Sequence, residues 1–116
     1  MPFVDVLPAK RFSSEKMQKV NFFETDHLFC DLYCLLPSQS QKPHKHEGAD
    51  KIYYVLEGTG TFLIGEEERV LGPETAALAE SGVAHGVTNN GAANLCLLVI
   101  MAPNPNRSRP LGESQP

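Results

Sequence analysis

The segment His44-Lys45-His46-Glu47-Gly48-Ala49-Asp50-Lys51-Ile52-Tyr53-Tyr54-Val55-Leu56-Glu57-Gly58 decides how this chain is read. Its second half, Ile52 to Leu56, is a run of β-branched, aromatic and aliphatic residues ending at a glycine turn, which predicts a strand. His44 and His46 stand two apart, so on extended backbone both imidazoles leave from the same face. Two imidazoles on one face of a rigid sheet offer two donors to a single metal ion. A third, His85, follows much later in a second glycine-flanked segment.

Working outward, glycine and proline punctuate the chain and nearly every segment between them is short. Phe3 to Leu7 and Val20 to Glu24 read as strands. Leu28 to Leu36 alternates, with Leu28, Cys30, Leu32, Cys34 and Leu36 on one face and Phe29, Asp31, Tyr33 and Leu35 on the other. Pro37 to Pro43 reads as a polar loop. Ile52 to Leu56 and Thr61 to Ile64 flank Glu57-Gly58-Thr59-Gly60 as a hairpin. Gly65-Glu66-Glu67 is a further turn, and Glu66 to Glu68 a solvated one, before a return strand at Arg69 to Leu71. Ala76 to Ala79, His85 to Thr88 and Leu95 to Met101 complete the strands. No apolar period near 3.6 persists, and Ser13 to Lys19 offers one helical turn at most. Many short strands joined by glycine turns predict an all-β sandwich or barrel.

The chain has 116 residues, enough for a single domain with one packed core. Its organisation reads as an N-terminal segment 1–19 contributing an outer strand, a β-barrel over 20–101, and a proline-rich, disordered tail over 102–116. A net charge of -4 without basic clusters argues against nucleic acid and anionic membrane as partners. The longest apolar run, Leu95 to Met101, is only strand length, and the N-terminus has neither the basic start nor the apolar run of a signal peptide. A cytoplasmic location is the expectation. Cys30, Cys34 and Cys96 sit inside apolar runs and read as buried free thiols. Cys30 and Cys34 share a face but lie about 13 Å apart by strand rise, too far for a disulfide with each other.

The histidines and their surroundings resemble the cupin superfamily, small jelly-roll β-barrels. That family's first motif runs Gly, five residues, His-x-His, three or four residues, Glu, six residues, Gly, and here His44, His46 and Gly58 fit the frame. Its second motif ends in Gly, two residues, His, three residues, Asn, matched by Gly82, His85 and Asn89. The resemblance spans about residues 20–101. It implies one divalent transition metal per chain, held by His44, His46 and His85, with iron, zinc, nickel, manganese and copper not distinguished by the ligands. Lys51 stands where the family places its carboxylate ligand, Ser38 and Glu74 where the motifs lead with glycine, and Glu80 at the second motif's proline. Glu47, just after His46, is a further candidate ligand.

A charged Lys51 about 5 Å from a divalent ion would be repelled by roughly 6–7 kcal/mol at an effective dielectric near 20. Lys51 is therefore neutral, or turned toward a carboxylate such as Glu80, or the site holds no metal. Strand alternation puts Lys51, Tyr53 and Val55 on the face of the histidines, so Lys51 and Tyr53 are the residues that would orient a substrate. Tyr53 is equally a large core residue. Ile52, Tyr54 and Leu56 fall on the opposite face, and packing of that apolar face against a second subunit predicts a homodimer. His27, in a turn, reads as a surface residue.

Two functions remain open. One is a metal-dependent enzyme acting on a small polar or anionic molecule in the barrel, its three-histidine site resembling the dioxygenase branch of the cupins. The other is a non-catalytic small-molecule-binding cupin with a degenerate or metal-free site.

Overall fold

The structure, a computed structural model, describes residues 2–106. Nine strands carry the fold among them: β1 (Gln18–Glu24), β2 (Phe29–Leu35), β3 (Ser40–His44), β4 (Asp50–Glu57), β5 (Gly60–Ile64), β6 (Glu67–Leu71), β7 (Ala76–Ala79), β8 (His85–Thr88) and β9 (Leu95–Ala102). They form two antiparallel sheets, β1-β2-β9-β4-β7 and β3-β8-β5-β6. The architecture is a jelly roll of two facing sheets whose barrel does not close completely. Among the described residues no helix is long and apolar enough to cross a membrane.

Alternation along each strand decides what fills the space between the sheets. On β4, Lys51, Tyr53 and Val55 are buried, whereas Ile52 on the other face is 42% exposed. Tyr33, Leu35, Tyr53, Val55, Phe62, Val87, Leu97 and Val99 pack into one inner cluster. Each such side chain, once fully buried, contributes about 1.5–3 kcal/mol through removal of apolar area from water. A second cluster lies on the outer face of the five-stranded sheet. There Leu32, Cys34 and Cys96 are covered by Val6 and Phe12 of the N-terminal segment and by Val20, Phe22 and Leu56.

Several local expectations give way to tertiary pairing. Phe3 to Leu7 is not a strand; it is irregular and enters a short 3-10 turn, Leu7–Ala9, with Pro8 in its first positions. The segment before Gln18 therefore adds no outer strand but lies over the sheet, and the helical turn expected at Ser13 to Lys19 is a bend followed by β1. The polar stretch expected to be a loop instead contains β3, which pairs with β8 from Ser40↔Thr88 to His44↔His85. The glycine turn after β4 is not a hairpin, because β4 pairs with β7 and β9 while β5 pairs with β6 and β8. Gly58, at φ +80, turns the chain from one sheet to the other, and a Cβ there would run into the Asn94 carbonyl. Only glycine fits this corner. Glu67 and Glu68 are strand residues of β6, exposed as expected.

Ser38 and Glu74, which replace motif glycines, keep the left-handed backbone those glycines would supply, with φ of +77 and +65. The turns have survived the loss of the residue best suited to them. At the C-terminal end, Asn104 is fully buried and donates to Thr25 O at 2.8 Å and Glu24 Oε2 at 3.1 Å. Residues 103–106 thus pack on the domain, and the rest of the segment expected to be disordered lies outside the described residues.

Candidate metal centre and its cavity

Two strand ends and one turn bring the histidines together. His44 closes β3 directly opposite His85, which opens β8. Gly86 permits this close pairing, since a Cβ there would lie 2.8 Å from Gln41 O and 2.9 Å from Pro43 N. His46 lies just beyond β3, and its carbonyl accepts the Gly82 N–H at 2.7 Å, tying the two motif segments to each other. Ring centroids stand 4.3 Å apart for His44 and His85, 4.8 Å for His44 and His46, and 5.6 Å for His46 and His85. One nitrogen from each ring lies within 4.8 Å of the others. Nitrogens placed about 2.1 Å from one shared ion would sit roughly 3–3.5 Å apart, so a modest rotation of the rings closes the set.

Hydrogen bonds choose which nitrogens face the centre. His44 Nδ1 lies 2.8 Å from Lys42 O and His85 Nδ1 2.9 Å from Val83 O. A carbonyl can only accept, so each Nδ1 carries the proton and each Nε2 presents a lone pair. His85 Nε2 is buried and has no hydrogen-bond partner among the described residues. A buried polar atom left unpaired costs about 1–3 kcal/mol, and a metal ion is the partner that a neutral imidazole nitrogen lacks here. Burial keeps all three rings uncharged: it lowers His44 and His46 below the usual imidazole value and takes His85 to about 4. A neutral donor set is what divalent metal binding requires, and the residues fit the ion.

Glu47 does not join the three histidines: its carboxylate lies against Gly82, where a Cβ would meet Oε2 at 3.4 Å. Asp50 faces away as alternation predicts, its Oδ1 accepting the Ser81 N–H at 2.9 Å.

Lys51 departs from one of its expected arrangements. Glu80 is exposed and does not pair with it. Lys51, only 2% exposed, donates to Gln41 Oε1 at 3.2 Å and lies 5.4 Å and 5.0 Å from the Tyr33 and Tyr53 ring centroids. Burial, with repulsion from Lys19, lowers its pKa to about 7. A pKa near neutrality leaves the amine charged only in part, which eases the conflict with a nearby cation and still allows it to pair with an anion. Tyr53 hydroxyl donates to the same Gln41 oxygen at 3.0 Å, and burial raises its pKa. Tyr53 is both a core residue and a polar contact. Burial also takes Tyr33 up to about 12.

These groups line a cavity of about 660 Å³ bounded by His44, His46, Lys51, Gln41, Tyr33 and Lys19. Gln41, Tyr33, Lys19 and Asp31 had no motif to mark them. The alternation of β2 placed Asp31 and Tyr33 on one face, but Gln41 lay in a stretch read as loop. Lys19 sits 5.2 Å from the Tyr33 ring centroid, and burial raises the Asp31 carboxyl. His27 is exposed, in keeping with a surface role.

A two-sheet jelly roll with three clustered imidazoles, two of them lining its cavity, defines a class of protein rather than a reaction. The sequence places it further: a family model described as a cupin domain matches residues 31–101, and the chain belongs to the cupin family. It is 33% identical over 67 residues to the oxalate-binding protein of Thermotoga maritima, a match covering 58% of this chain and 55% of that protein. The matched region therefore spans about half the length of that curated relative. Among solved structures, the protein TT1209 from Thermus thermophilus superposes with a TM-score of 0.87 at 46% identity, covering 90% of this chain and 99% of that one. A Klebsiella pneumoniae protein with a double-stranded β-helix domain superposes with a TM-score of 0.83 at 21% identity, covering 89% and 90%. That second likeness speaks to the fold alone.

Proposed function

We propose that this cupin holds one divalent transition metal through Nε2 of His44 and His85 and one ring nitrogen of His46, and acts on a small carboxylate-bearing molecule in the adjoining cavity. The observation that carries the reading is the buried, unpartnered Nε2 of His85 beside two further imidazoles. The three-histidine set without a carboxylate supports an oxygenase-like centre. A bound metal would supply a Lewis acid that polarises an oxygen of the substrate. The protein's own part is recognition. Lys51 gains a counter-ion when an anion enters, Gln41 and Tyr53 hold the Lys51 amine in place, and the surrounding aromatic rings exclude water.

The name of the Thermotoga relative supports a small dicarboxylate as ligand, and equally supports binding without turnover. Calorimetric titration of oxalate into zinc-loaded and metal-stripped protein tests the reading. The expected result is binding to the loaded form, weakened at least tenfold by stripping. Equal affinity in both forms would remove the metal from the site. Consumption of the bound anion, followed by proton NMR for an analogue that carries C–H protons, such as malonate, separates the enzyme from the binder.

The outer face around Ile52 and Leu78, 42% and 50% exposed, supports the assignment of a homodimer. These residues oppose each other across β4 and β7. Light scattering at micromolar concentration should give about twice the chain mass, and Leu78→Asp should return it to the mass of one chain.

A further inference from the structure

On the face of the five-stranded sheet turned away from the cavity, Cys34 of β2 and Cys96 of β9 are directly opposed in the antiparallel register. Directly opposed residues in such a pair have Cα atoms about 4.5 or about 5.5 Å apart. Both values fall inside the span of roughly 4.4–6.8 Å that a disulfide bridges. Both side chains are fully buried, and both are free thiols. The Cys34 and Cys96 thiols are hydrogen-bonded to each other, and the Arg11 backbone N–H donates to the Cys34 sulfur. Lys10 and Arg11 bring positive charge to the same sulfur.

We propose that Cys34 and Cys96 form a peroxide-oxidisable thiol pair, with Cys34 the attacking sulfur and Cys96 the resolving one. The Arg11 N–H and the two cations beside it favour the Cys34 thiolate and lower its pKa below the ordinary thiol value. Burial and the neighbouring sulfur push Cys96 the other way, so the two thiols are unequal partners.

The chemistry balances with a hydroperoxide as the oxidant. The Cys34 thiolate attacks one peroxide oxygen, the O–O bond breaks, and sulfenic acid and hydroxide form. The Cys96 sulfur then attacks the Cys34 sulfur, its proton leaves with the hydroxyl group as water, and the S–S bond closes. Two electrons pass from the two sulfurs to the peroxide oxygens.

The lid over this pair is the irregular segment ahead of β1, whose Val6 and Phe12 pack on it. That segment is held by an exposed Lys10–Glu57 ion pair of 2.9 Å and by Gln39 Nε2 donating to Ser13 O at 2.6 Å. An exposed ion pair contributes about 0–1 kcal/mol, so the segment is held chiefly by the packing of Val6 and Phe12, and a local lift of it admits a molecule as small as peroxide.

Cys30 supplies an internal control. It lies on the same strand and face, about 13 Å from Cys34 by strand rise, and pairs with Ile100 rather than with a cysteine. The test treats the full chain with hydrogen peroxide, then unfolds and alkylates it without reductant for intact-mass and peptide analysis. The expected result is a loss of about 2 Da, a Cys34–Cys96 linked peptide and an alkylated Cys30. Cys96→Ala should stop the reaction at a Cys34 sulfenic acid trapped by dimedone. Cys34→Ala should leave Cys96 reduced. Alkylation of all three thiols in the wild type, under peroxide that oxidises free cysteine in the same solution, would overturn the proposal. So would oxidation of Cys30 ahead of the pair. Metal content should not change on oxidation, because the pair lies on the outer face of the five-stranded sheet, whereas His44 and His85 belong to the four-stranded sheet.

Discussion

His85→Ala should reduce bound metal from about one ion per chain to below a tenth. Elemental analysis of protein loaded with zinc and dialysed against a weak chelator reads this directly. Three neutral imidazole donors from β3, β8 and the adjoining turn converge on one point, and losing one leaves two. Loss of partners even outside the ligand set commonly costs ten- to a hundred-fold in metal affinity, so loss of a ligand costs more. His85 is only 2% exposed, so its truncation also opens a small cavity and removes the hydrogen bond to Val83 O. His44→Ala provides a second arm at a half-buried ring where the packing cost is smaller. Zinc should raise the unfolding midpoint of the wild type and leave both variants unmoved, since only a ligand that binds the native state stabilises it. Full metal content in both variants would sink the ligand assignment. Because burial keeps the three rings neutral, loading near pH 7 should release few protons.

Lys51→Met should make the metal-free protein more stable, and the gain should depend on pH with a definite sign. Lys51 titrates at 10.5 when unfolded and at about 7 in the fold, chiefly because burial penalises its charge. Between these values the unfolded chain holds a proton that the native state does not, so wild-type stability rises as pH increases through that window. Below about pH 7 both states are protonated and the penalty is constant and largest; above pH 10.5 it is gone. Methionine has similar length and no charge, and Gln41 Oε1 keeps the Tyr53 hydroxyl as its partner. The expected gain at pH 7 is on the order of 2 kcal/mol or more, roughly 5–10 °C in midpoint, and it should vanish toward pH 10.5. Thermal unfolding of both proteins from pH 6 to 10 measures it. An equal gain at both ends would mean that the amine charge is not the cause. The same variant should bind oxalate more weakly, which would make Lys51 a residue that trades stability for recognition.

Much of this protein was legible in its residues. Alternation in β2 and β4 assigned Tyr33 and Asp31 to one face and Lys51, Tyr53 and Val55 to another, and those faces line the interior. His44 and His46 were marked by their spacing, and His85 joined them through the resemblance to the cupin motifs. Such signals are local: a period of two and a fixed number of residues between donors need no partner strand to be seen.

Other features arose only when distant segments met. β3 is polar and contains Pro43, so nothing in its composition announces a strand; β8 supplies the hydrogen bonds that make it one. Its pairing also carries Gln41 to Lys51 and Tyr53, which decided that Lys51 leans on an amide and two rings rather than on Glu80. Cys34 and Cys96 stand far apart in sequence, and only the register of β2 against β9 sets them side by side. Phe3 to Leu7 had strand-like composition but pairs with no strand of either sheet. The sequence by itself determined which residues face inward and that His44 and His46 share a face, because side-chain direction follows from backbone period; the motif resemblance added His85. The tertiary structure decided which polar groups share the cavity, because register between distant strands has no signature in either strand alone.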